Sequence, residues 1–350
     1  RQVVYLMEGL NAQGAESLLL TPKDSAISKE VSALGNKVVE APYSGDLDIR
    51  LAFRVKNLVK ELAVDLVHVH SRRGADVWAG LGAKWAGIPA VLSRRVDNPE
   101  GPKSIRYKYA LYEQVISISE GIKKVLVANG LPSSKVICVR SAFVASDSQS
   151  PIDRPAFMQR FNLPEDSLVV ATVAQLIPRK GHKLLLDCLP NLLDKYPRMQ
   201  VLFFGAGAER EALQQQIDQL GLSDRVHLVG FHNDLNCLIG NVDILAHPAY
   251  TEGLGVSLIQ ASAASVPIVA CNAGGMPEIV RDHENGLLIS PGDGIALSNA
   301  IGALADNPEL RKQYGSRGKE IAEKEFSVEA MVLGNLNVYN EILGTPSGKV

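Results

Sequence analysis

The feature that most constrains the fold is the alternation of short apolar runs with segments of helical periodicity along the chain. Leu66–Val69, Ala90–Ser93 and Gln114–Ile118 are strand-sized, whereas Ile49–Leu62 places its apolar side chains on one face of a helix. Consecutive parallel strands need a crossover of a dozen or more residues, which is usually a helix. The alternation therefore predicts an α/β protein with a parallel sheet covered by helices.

The alternation stops between Ala142 and Pro155, where residues 146–151 form a polar stretch without periodicity that we interpret as a linker. It then resumes with strands predicted at Leu168–Ala174, Met199–Gly205 and Ile244–His247. A chain of 350 residues favours two domains over one, at roughly 100–200 residues per domain. We expect two doubly wound domains, each with its ligand loops at the carboxyl ends of the strands.

The amino-terminal segment does not fit this pattern. Val3–Met7 is predicted to be a strand, followed by the loop Glu8–Glu16 and a further strand at Ser17–Leu20. This leaves no room for a crossover. Either this part is built differently, or a helix is missing around residues 16–17; we favour the missing helix. Because the first residue is Arg1 and not Met, residues are also expected to be missing at the amino terminus.

Composition excludes several classes of protein. The apolar fraction of 46% and the charged fraction of 21% are ordinary for a soluble globular chain, so disorder and coiled coils are excluded. No run approaches the roughly 18 apolar residues of a membrane-spanning helix. The four cysteines are scattered without a CxxC pair, and we expect reduced, buried thiols in a cytoplasmic protein.

The net charge of −2 hides an asymmetry. Residues 1–150 carry 20 Lys and Arg against 15 Asp and Glu, whereas residues 151–350 carry 16 against 23. The cations of the first half are Arg50, Arg54, Lys56, Lys60, Arg72, Arg73, Arg94, Arg95, Lys103, Arg106 and Lys108, among others. One interpretation is that these cations bind an anionic acceptor or an anionic membrane surface. The other is that they are an ordinary solvated protein surface.

Residues 247–264 give the strongest indication of a ligand site. The strand Ile244–His247 runs into a glycine-rich loop and then a helix, so its backbone N–H groups are predicted to meet an anion. Those N–H groups belong to Gly253, Leu254, Gly255 and Val256. Glu252 precedes them, and Gln260, about two helical turns later, is predicted to face the same side. A capped helix with a solvated glutamate is the alternative.

Residues 174–182 form a second candidate loop, after the strand Leu168–Ala174. Arg179 and Lys180 open a helix here and suit a diphosphate, because arginine offers a fork and lysine a point charge. Solvated cations at a helix start are the alternative. Gly205 and Gly207 end the next predicted strand, where glycines serve either a close nucleotide contact or a tight turn.

His68 and His70 alternate to the same face of a strand. They are either core histidines or ligand contacts. A metal site is not expected, because no third ligand is nearby.

These motifs together resemble glycosyltransferase family 4, the retaining nucleotide-sugar transferases of GT-B fold. Glu252–Gly255 resembles the family's Glu-Gly-Phe-Gly signature, and Gly274-Gly-Met-Pro-Glu278 follows the next strand as it does in the family. The resemblance covers nearly the whole chain. It implies two Rossmann-like domains facing across a cleft: an acceptor-binding domain at 1–145 and a nucleotide-sugar domain at 156–326. A helix at 327–350 is expected to cross back to the first domain.

The resemblance also assigns roles in the carboxyl-terminal half. Glu252 would contact hydroxyls of the donor sugar, and Gln260, which replaces the family's second glutamate, would hold the ribose. Lys180 would neutralise the leaving diphosphate, and Arg179 would take over from the family's arginine, whose position is Gln175. The nucleotide would also meet Gly205, Gly207, Phe231 and His232, the last two where the family places the base.

In the amino-terminal half, the resemblance places His70 beside the donor sugar. The loop Gly9–Glu16, which contains Asn11 and Gly14, resembles the family's Gly-Gly-Ala-Glu loop and would close over donor and acceptor. Arg72 and Arg73 would lie near the acceptor.

The activity implied is retaining transfer of a sugar from a UDP- or GDP-linked donor to an acceptor hydroxyl, without a metal or other cofactor. We expect it in bacterial cell-surface polysaccharide or glycolipid assembly, with a carbohydrate or lipid-linked acceptor and cytoplasmic or peripheral membrane placement. Nucleic acid is not an expected partner, because aromatic residues are not interleaved with the cations. A nucleotide-sugar epimerase and a non-catalytic binding paralogue remain alternatives. A nicotinamide oxidoreductase is discounted, because the GxGxxG fingerprint with its acidic residue about 20 positions later is missing.

Overall fold

The computed structural model describes residues 1–70, 74–144 and 151–344. The chain forms two compact units, one made of Arg1–Ala142 together with the segment from Phe326 onward, the other of Phe143–Glu325. Parallel sheets with intervening helices occur in both units, so the predicted α/β class is confirmed. Most of the polar stretch interpreted as a linker lies outside the described residues.

The strands of the first unit pair in parallel. They are β1 (Leu18–Pro22), β2 (Lys37–Ala41), β3 (Val67–Val69), β4 (Ala90–Arg94), β5 (Gln114–Ser117) and β6 (Val136–Cys138). β1 pairs with β2, and the other four form a sheet in the order β3-β4-β5-β6. The helices up to residue 142 are α1 (Gln2–Ala12), α2 (Ala26–Ala33), α3 (Arg50–Glu61), α4 (Ala75–Ala86), α5 (Pro102–Tyr107) and α6 (Glu120–Ala128).

The predicted strand at Val3–Met7 is wrong, because this segment is part of helix α1. A five-residue apolar run does not distinguish a strand from a buried helix by itself. In the helix, Val4, Met7 and Leu10 recur at a spacing of three and are all buried. Since the segment before β1 is a helix, the argument for a helix missing around residues 16–17 no longer holds.

The second unit contains a single six-stranded parallel sheet in its described residues. Its strands are β7 (Leu168–Val173), β8 (Met199–Phe204), β9 (Val226–Gly230), β10 (Ile244–His247), β11 (Ile268–Cys271) and β12 (Gly286–Ile289). Its helices are α7 (Arg154–Arg160), α8 (His182–Lys195), α9 (Arg210–Gln219), α10 (Leu235–Leu238), α11 (Val256–Ala263), α12 (Gly294–Asp306) and α13 (Pro308–Glu325). β7 and β8 are almost entirely buried, as expected for central parallel strands.

The strand order of this sheet is β12-β11-β10-β7-β8-β9. From β7 the chain first builds outward through β8 and β9, then returns to β10 on the other side of β7. The direction of winding therefore reverses between β7 and β10. In open parallel sheets this switch point, at the carboxyl ends of the strands, is where ligands bind.

Helix α14 (Val328–Leu343) returns the chain to the first unit. The Ser327 side chain caps it by accepting a hydrogen bond from the Ala330 N–H at 3.1 Å. Met331, Val332 and Leu336 are buried in one apolar cluster with residues of α1, β4 and β5. The core of the first unit is thus built from two separate stretches of sequence.

Candidate active site

Lys180 and Glu252 meet at the switch point. Lys180 ends a short 3₁₀ turn after β7, and Glu252 lies in the loop after β10. Their side chains form an ion pair and are only 8% and 16% exposed. The two loops are also joined through the backbone, because the Tyr250 N–H donates to the Arg179 carbonyl at 2.9 Å. Two residues predicted separately from sequence are therefore brought together, while the Arg179 side chain is exposed.

Two buried histidines surround this ion pair, and neither was singled out from the sequence. His247 ends β10, is 1% exposed, and has its Nε2 3.5 Å from Glu252 Oε2. His182 begins α8, is also 1% exposed, and packs edge-on against the Phe203 ring. The sequence signal was weak, because a lone histidine at a strand end or helix start is common.

Lys180, Glu252, His182 and His247 form one largely buried cluster. Its electrostatics favour a charged Glu252 and neutral histidines. Burial alone would raise the pKa of Glu252, but His247 and Lys180 outweigh it and lower the pKa to about 2. Burial lowers the pKa of His247, and burial together with His247 and Lys180 lowers the pKa of His182 to about 4. At neutral pH the cluster therefore contains one carboxylate and the Lys180 cation.

Helix α11 begins directly after this cluster. Its N-cap is Gly255, and no side chain caps the first turn. The amino end of a helix carries a partial positive charge and N–H groups without intrahelical acceptors. The predicted anion-binding segment from Gly253 to Val256 is thus a helix start beside Glu252, while Gln260 donates to Asn236 Oδ1 at 2.8 Å.

The loop after β11 holds the backbone of Glu252. The Gly275 N–H donates to the Glu252 carbonyl at 2.8 Å. Gly274 has a φ of +58°, and a Cβ there would lie 2.1 Å from the Glu252 carbonyl oxygen. Only glycine fits this position, so the Gly-Gly motif positions Glu252 through the main chain.

Gly205 and Gly207 likewise allow two stretches of backbone, the loops after β7 and β8, to approach each other closely. Gly205 has a φ of +147°, and its Cβ would lie 1.9 Å from the Ala174 carbonyl oxygen. A Cβ on Gly207 would lie 2.3 Å from the Leu176 carbonyl oxygen. Both glycines are required by close contact with the protein's own backbone. Contact with a nucleotide stays a prediction, as it does for the exposed Gln175.

The predicted base-binding residues follow β9. Phe231 is 72% exposed. His232 is fixed, since its Nε2 bonds to the Val229 carbonyl at 3.1 Å and its Nδ1 to Arg160 at 3.1 Å. Arg160, on α7, also pairs with Asp234 at 2.6 Å. Sequence reasoning missed Arg160, because it lies 72 positions from His232.

In the first unit, His68 is a core residue. Its Nε2 bonds to Ser93 Oγ at 2.8 Å and its Nδ1 to the Tyr339 hydroxyl. Burial and Arg95 lower its pKa to about 3. The His70 ring stacks on it at 3.9 Å between centroids, and His70 Nδ1 lies 3.5 Å from an Arg95 nitrogen.

The loop predicted to close over the substrates lies elsewhere in the topology than expected. Asn11 is in α1, and Gly14 lies between α1 and the amino end of β1. The loop therefore precedes a strand instead of following one. Arg72 and Arg73 lie outside the described residues.

Two of the cations attributed to an acceptor or membrane surface are internal. Arg94 is 5% exposed and pairs with Glu100 at 2.6 Å. Lys108 pairs with Glu100 at 2.6 Å and with Asp76 at 3.1 Å. This cluster neutralises itself inside the first unit, so these residues are not a solvated cationic surface.

The described part of the chain has neither a metal-binding cluster nor a membrane-spanning helix. Within residues 1–70, 74–144 and 151–344, no group of three or more His, Cys, Asp or Glu is arranged to hold a metal ion. Over the same part of the chain, no helix combines the length and apolar character needed to cross a membrane.

Two family profiles match the two halves of the chain. The profile of "Glycosyltransferase Family 4" matches residues 1–141, and that of "Glycosyl transferases group 1" matches residues 153–321.

Curated relatives are also glycosyltransferases. The lipopolysaccharide core biosynthesis glycosyltransferase LpsE of Rhizobium meliloti is 24% identical over 95% of this chain and 92% of that protein. The phosphatidyl-myo-inositol mannosyltransferase of Mycobacterium leprae is 27% identical over 99% and 94%. The putative glycosyltransferase EpsD of Bacillus subtilis is 33% identical, but the match covers only 55% of this chain and 50% of that relative.

Solved structures agree with the fold. A glycosyltransferase from Rickettsia africae aligns with a TM-score of 0.87 at 19% identity, covering 99% of this chain and 95% of that one. Anabaena Alr3699/HepE in complex with UDP and glucose aligns with a TM-score of 0.78 at 23% identity, covering 97% and 95%. With the glycine-rich loops, the Lys180–Glu252 pair and two profiles that between them span both halves, the chain belongs to glycosyltransferase family 4 and has the GT-B fold.

Proposed function

We propose that this glycosyltransferase moves a hexose from a nucleoside-diphosphate donor to an acceptor hydroxyl, with retention at the anomeric carbon and without a metal or other cofactor. The observation that carries the proposal is the pairing of Lys180 with Glu252 beside the start of α11, at the switch point of the sheet. A cation and a helix start suit a diphosphate, and a carboxylate suits sugar hydroxyls.

The proposed chemistry follows from the charges that develop. The bond between the anomeric carbon and the phosphate oxygen breaks, which leaves negative charge on the diphosphate and positive charge on the sugar ring. Lys180 and the N–H groups at the start of α11 stabilise the leaving group. The acceptor oxygen forms the new bond on the same face, and its proton passes to the departing phosphate. No side chain is then required as a general base.

The donor is proposed to be UDP- or GDP-linked. A UDP-glucose complex of Alr3699/HepE and GDP-mannose-dependent relatives support these two choices. A thermal-shift panel of nucleoside diphosphates and their sugars tests it, because a ligand that binds the folded state raises the midpoint by mass action. Equal midpoints with every nucleotide would contradict the proposal.

The acceptor is proposed to be a carbohydrate or a lipid-linked sugar of the bacterial cell surface. A lipopolysaccharide core transferase and a phosphatidylinositol mannosyltransferase among the relatives support this class. The proposed location is cytoplasmic, at the inner face of the membrane. The roles suggested for His70, Asn11, Gly14, Arg72 and Arg73 near the acceptor or donor sugar stay predictions.

A surface of the first unit supports peripheral contact with an anionic membrane. Leu47, Ile49, Phe53 and Trp85 are 88%, 49%, 52% and 40% exposed, and the Phe53 and Trp85 rings pack at 5.0 Å between centroids. We call Phe53 and Trp85 the aromatic patch; Leu47 and Ile49 lie just before α3 in the sequence. Lys60 on α3 and Lys84 on α4 are also exposed, as is Arg50. Aromatic and aliphatic side chains flanked by cations suit the headgroup region of anionic lipids.

The decisive experiment is a transfer assay with the donor selected by thermal shift and an extract of lipid-linked or free oligosaccharides. Formation of an α- or β-linked product that keeps the donor's anomeric configuration is expected, with the same rate in the presence of EDTA. Conversion of the donor without acceptor, followed by NMR, would instead identify an epimerase. Tight donor binding without any product would identify a non-catalytic paralogue.

A further inference from the structure

Lys180 and His247 face the same oxygen of Glu252. Lys180 Nζ pairs with Oε2, and His247 Nε2 lies 3.5 Å from that atom. The distance from His247 is longer than a hydrogen bond. In this arrangement Lys180 holds the carboxylate, and His247 stands beside it as a second partner.

The proposed function, on which this inference rests, gives Lys180 and Glu252 different ligands. Lys180 serves the diphosphate, while Glu252 serves the sugar. When the diphosphate attracts the Lys180 charge, Glu252 is left as a carboxylate that is largely buried and close to a second anion. A buried charge without a partner is strongly destabilising. Another group must therefore compensate Glu252 in the donor complex.

His247 is the group placed to do so. It is 1% exposed, and neither of its ring nitrogens has a hydrogen-bond partner among the described residues. The charged or titratable side chains that act on it are Glu252 and Lys180, and His182 is coupled to it. Burial is the largest influence against a proton on His247 and Lys180 adds to it, whereas Glu252 favours a proton. Withdrawal of the Lys180 charge removes the neighbouring cation that opposes a proton on His247 and leaves the Glu252 carboxylate acting on it.

We propose that His247 is a positioning residue that takes up a proton when the donor binds and thereby holds the Glu252 carboxylate in place of Lys180. The proton comes from solvent and completes the imidazolium, whose Nε2–H then donates to Glu252 Oε2. No other bond forms or breaks. The sugar-binding carboxylate stays charged and oriented while Lys180 turns to the phosphates.

Proton uptake can be measured directly. The probe is UDP-glucose or GDP-mannose, whichever stabilises the full chain in the thermal-shift panel, because the diphosphate of a nucleotide sugar has no group that titrates near neutral pH. Calorimetric titrations in two buffers of different ionisation enthalpy yield the number of protons bound. Uptake approaching about one proton per donor is expected near pH 7, with affinity tightening by up to about tenfold per unit fall in pH.

The variants separate this role from a structural one. His247→Gln and Glu252→Gln are each expected to bind the donor with no net proton uptake and with a flat pH profile. His227→Gln is the matched control, because His227 is a half-buried histidine of β9 that bonds to Gln200 Oε1 at 3.0 Å in the same unit. It is expected to keep the wild-type uptake.

Each outcome decides the question. Wild-type binding without proton uptake, or undiminished uptake in folded His247→Gln, would overturn the inference and leave the proposed function intact. If His247→Gln does not fold, Glu252→Gln and the pH profile of the wild type carry the test alone. Failure of every nucleotide sugar to bind would instead overturn the proposed function, and this inference with it.

Discussion

Lys180 and Glu252 join the loops after two adjacent strands through an ion pair that is mostly hidden from solvent. We expect Lys180→Met to slow the transfer step by roughly 10- to 150-fold. This corresponds to the 1.5–3 kcal/mol of a hydrogen bond to a charged group. Single-turnover kinetics measure this step without interference from product release.

The matched control is Lys183→Met, three positions further along the chain in the first turn of α8. Lys183 pairs with Glu209 at 3.2 Å but is 55% exposed. Its substitution should leave the single-turnover rate unchanged. An equal loss in both variants would mean that charge in this region, and not the position of Lys180, governs transfer.

Replacement of Glu252, the ion-pair partner of Lys180, should separate nucleotide binding from catalysis. Glu252→Ala is expected to bind the nucleoside diphosphate as the wild type does, since that ligand has no sugar for Glu252 to hold. Transfer should fall by about 100-fold or more, on the scale of about 3 kcal/mol. Calorimetry with the nucleotide alone, set beside the transfer assay, checks both halves; loss of nucleotide binding in a folded variant would contradict the assigned role.

The glycine that supports Glu252 offers a steric test. Gly274→Ala places a Cβ 2.1 Å from the Glu252 carbonyl oxygen, so the Glu252 loop must move. Gly221→Ala is the control, because its φ is +66° but no atom lies within 4 Å of the added Cβ. Both variants should lose about 1 kcal/mol of unfolding free energy through the positive φ, and Gly274→Ala should lose more because of the clash. Only Gly274→Ala should also lose transfer activity, which parallel denaturation curves and rate measurements would reveal.

Acid should destabilise the second unit through His182. Its pKa is about 4 in the folded protein, compared with 6.5 for the free side chain. Between these values the unfolded chain binds a proton that the folded chain does not. The contribution of His182 to the free energy of unfolding is therefore fully present above about pH 6.5. It is lost as the pH falls toward 4, by about 3 kcal/mol at most.

His182→Leu removes this contribution while filling a similar volume. We expect its melting midpoint to exceed that of the wild type at about pH 5 by more than at about pH 8. A difference between the two proteins that does not change with pH would show that His182 does not titrate in this range.

The aromatic patch predicts the behaviour of the chain on vesicles. Combined substitution of Phe53 and Trp85 by Ser should weaken co-sedimentation with anionic vesicles about tenfold or more, since each large apolar side chain contributes up to 1.5–3 kcal/mol when buried. The control is Ile295→Ser, in the second unit, where Ile295 is 78% exposed. Unchanged sedimentation of the double variant, or self-association that depends on the patch, would reject membrane contact.

The alternation of strands and helices could be predicted because it arises from local periodicity. A strand such as β8, buried along its whole length, appears in the sequence as a run of apolar residues broken only by Gln200. The same reasoning failed for α1, whose short apolar run is buried as a helix. Side-chain periodicity over five residues does not discriminate between the two, and tertiary packing decides.

The candidate site was predictable only where glycine and charge stand together in one segment. Glu252, Lys180 and the glycines after β8 and β11 lie in such segments. The contributions of His247 and Arg160 depend on contacts between residues far apart in sequence. The ion pairs that Arg94 and Lys108 each form with Glu100 were not predictable for the same reason. A charge count does not show which cations are already neutralised.

Helix α14 has a consequence for how the protein can be divided. Because the first unit needs both Arg1–Ala142 and the segment from Phe326 onward, the second unit is in effect an uninterrupted insertion within it. A fragment spanning Phe143–Glu325 contains a whole sheet and its helices, and should fold independently. A fragment ending at Ala142 lacks Met331, Val332 and Leu336, and should acquire a native core only when a peptide carrying α14 is supplied in trans.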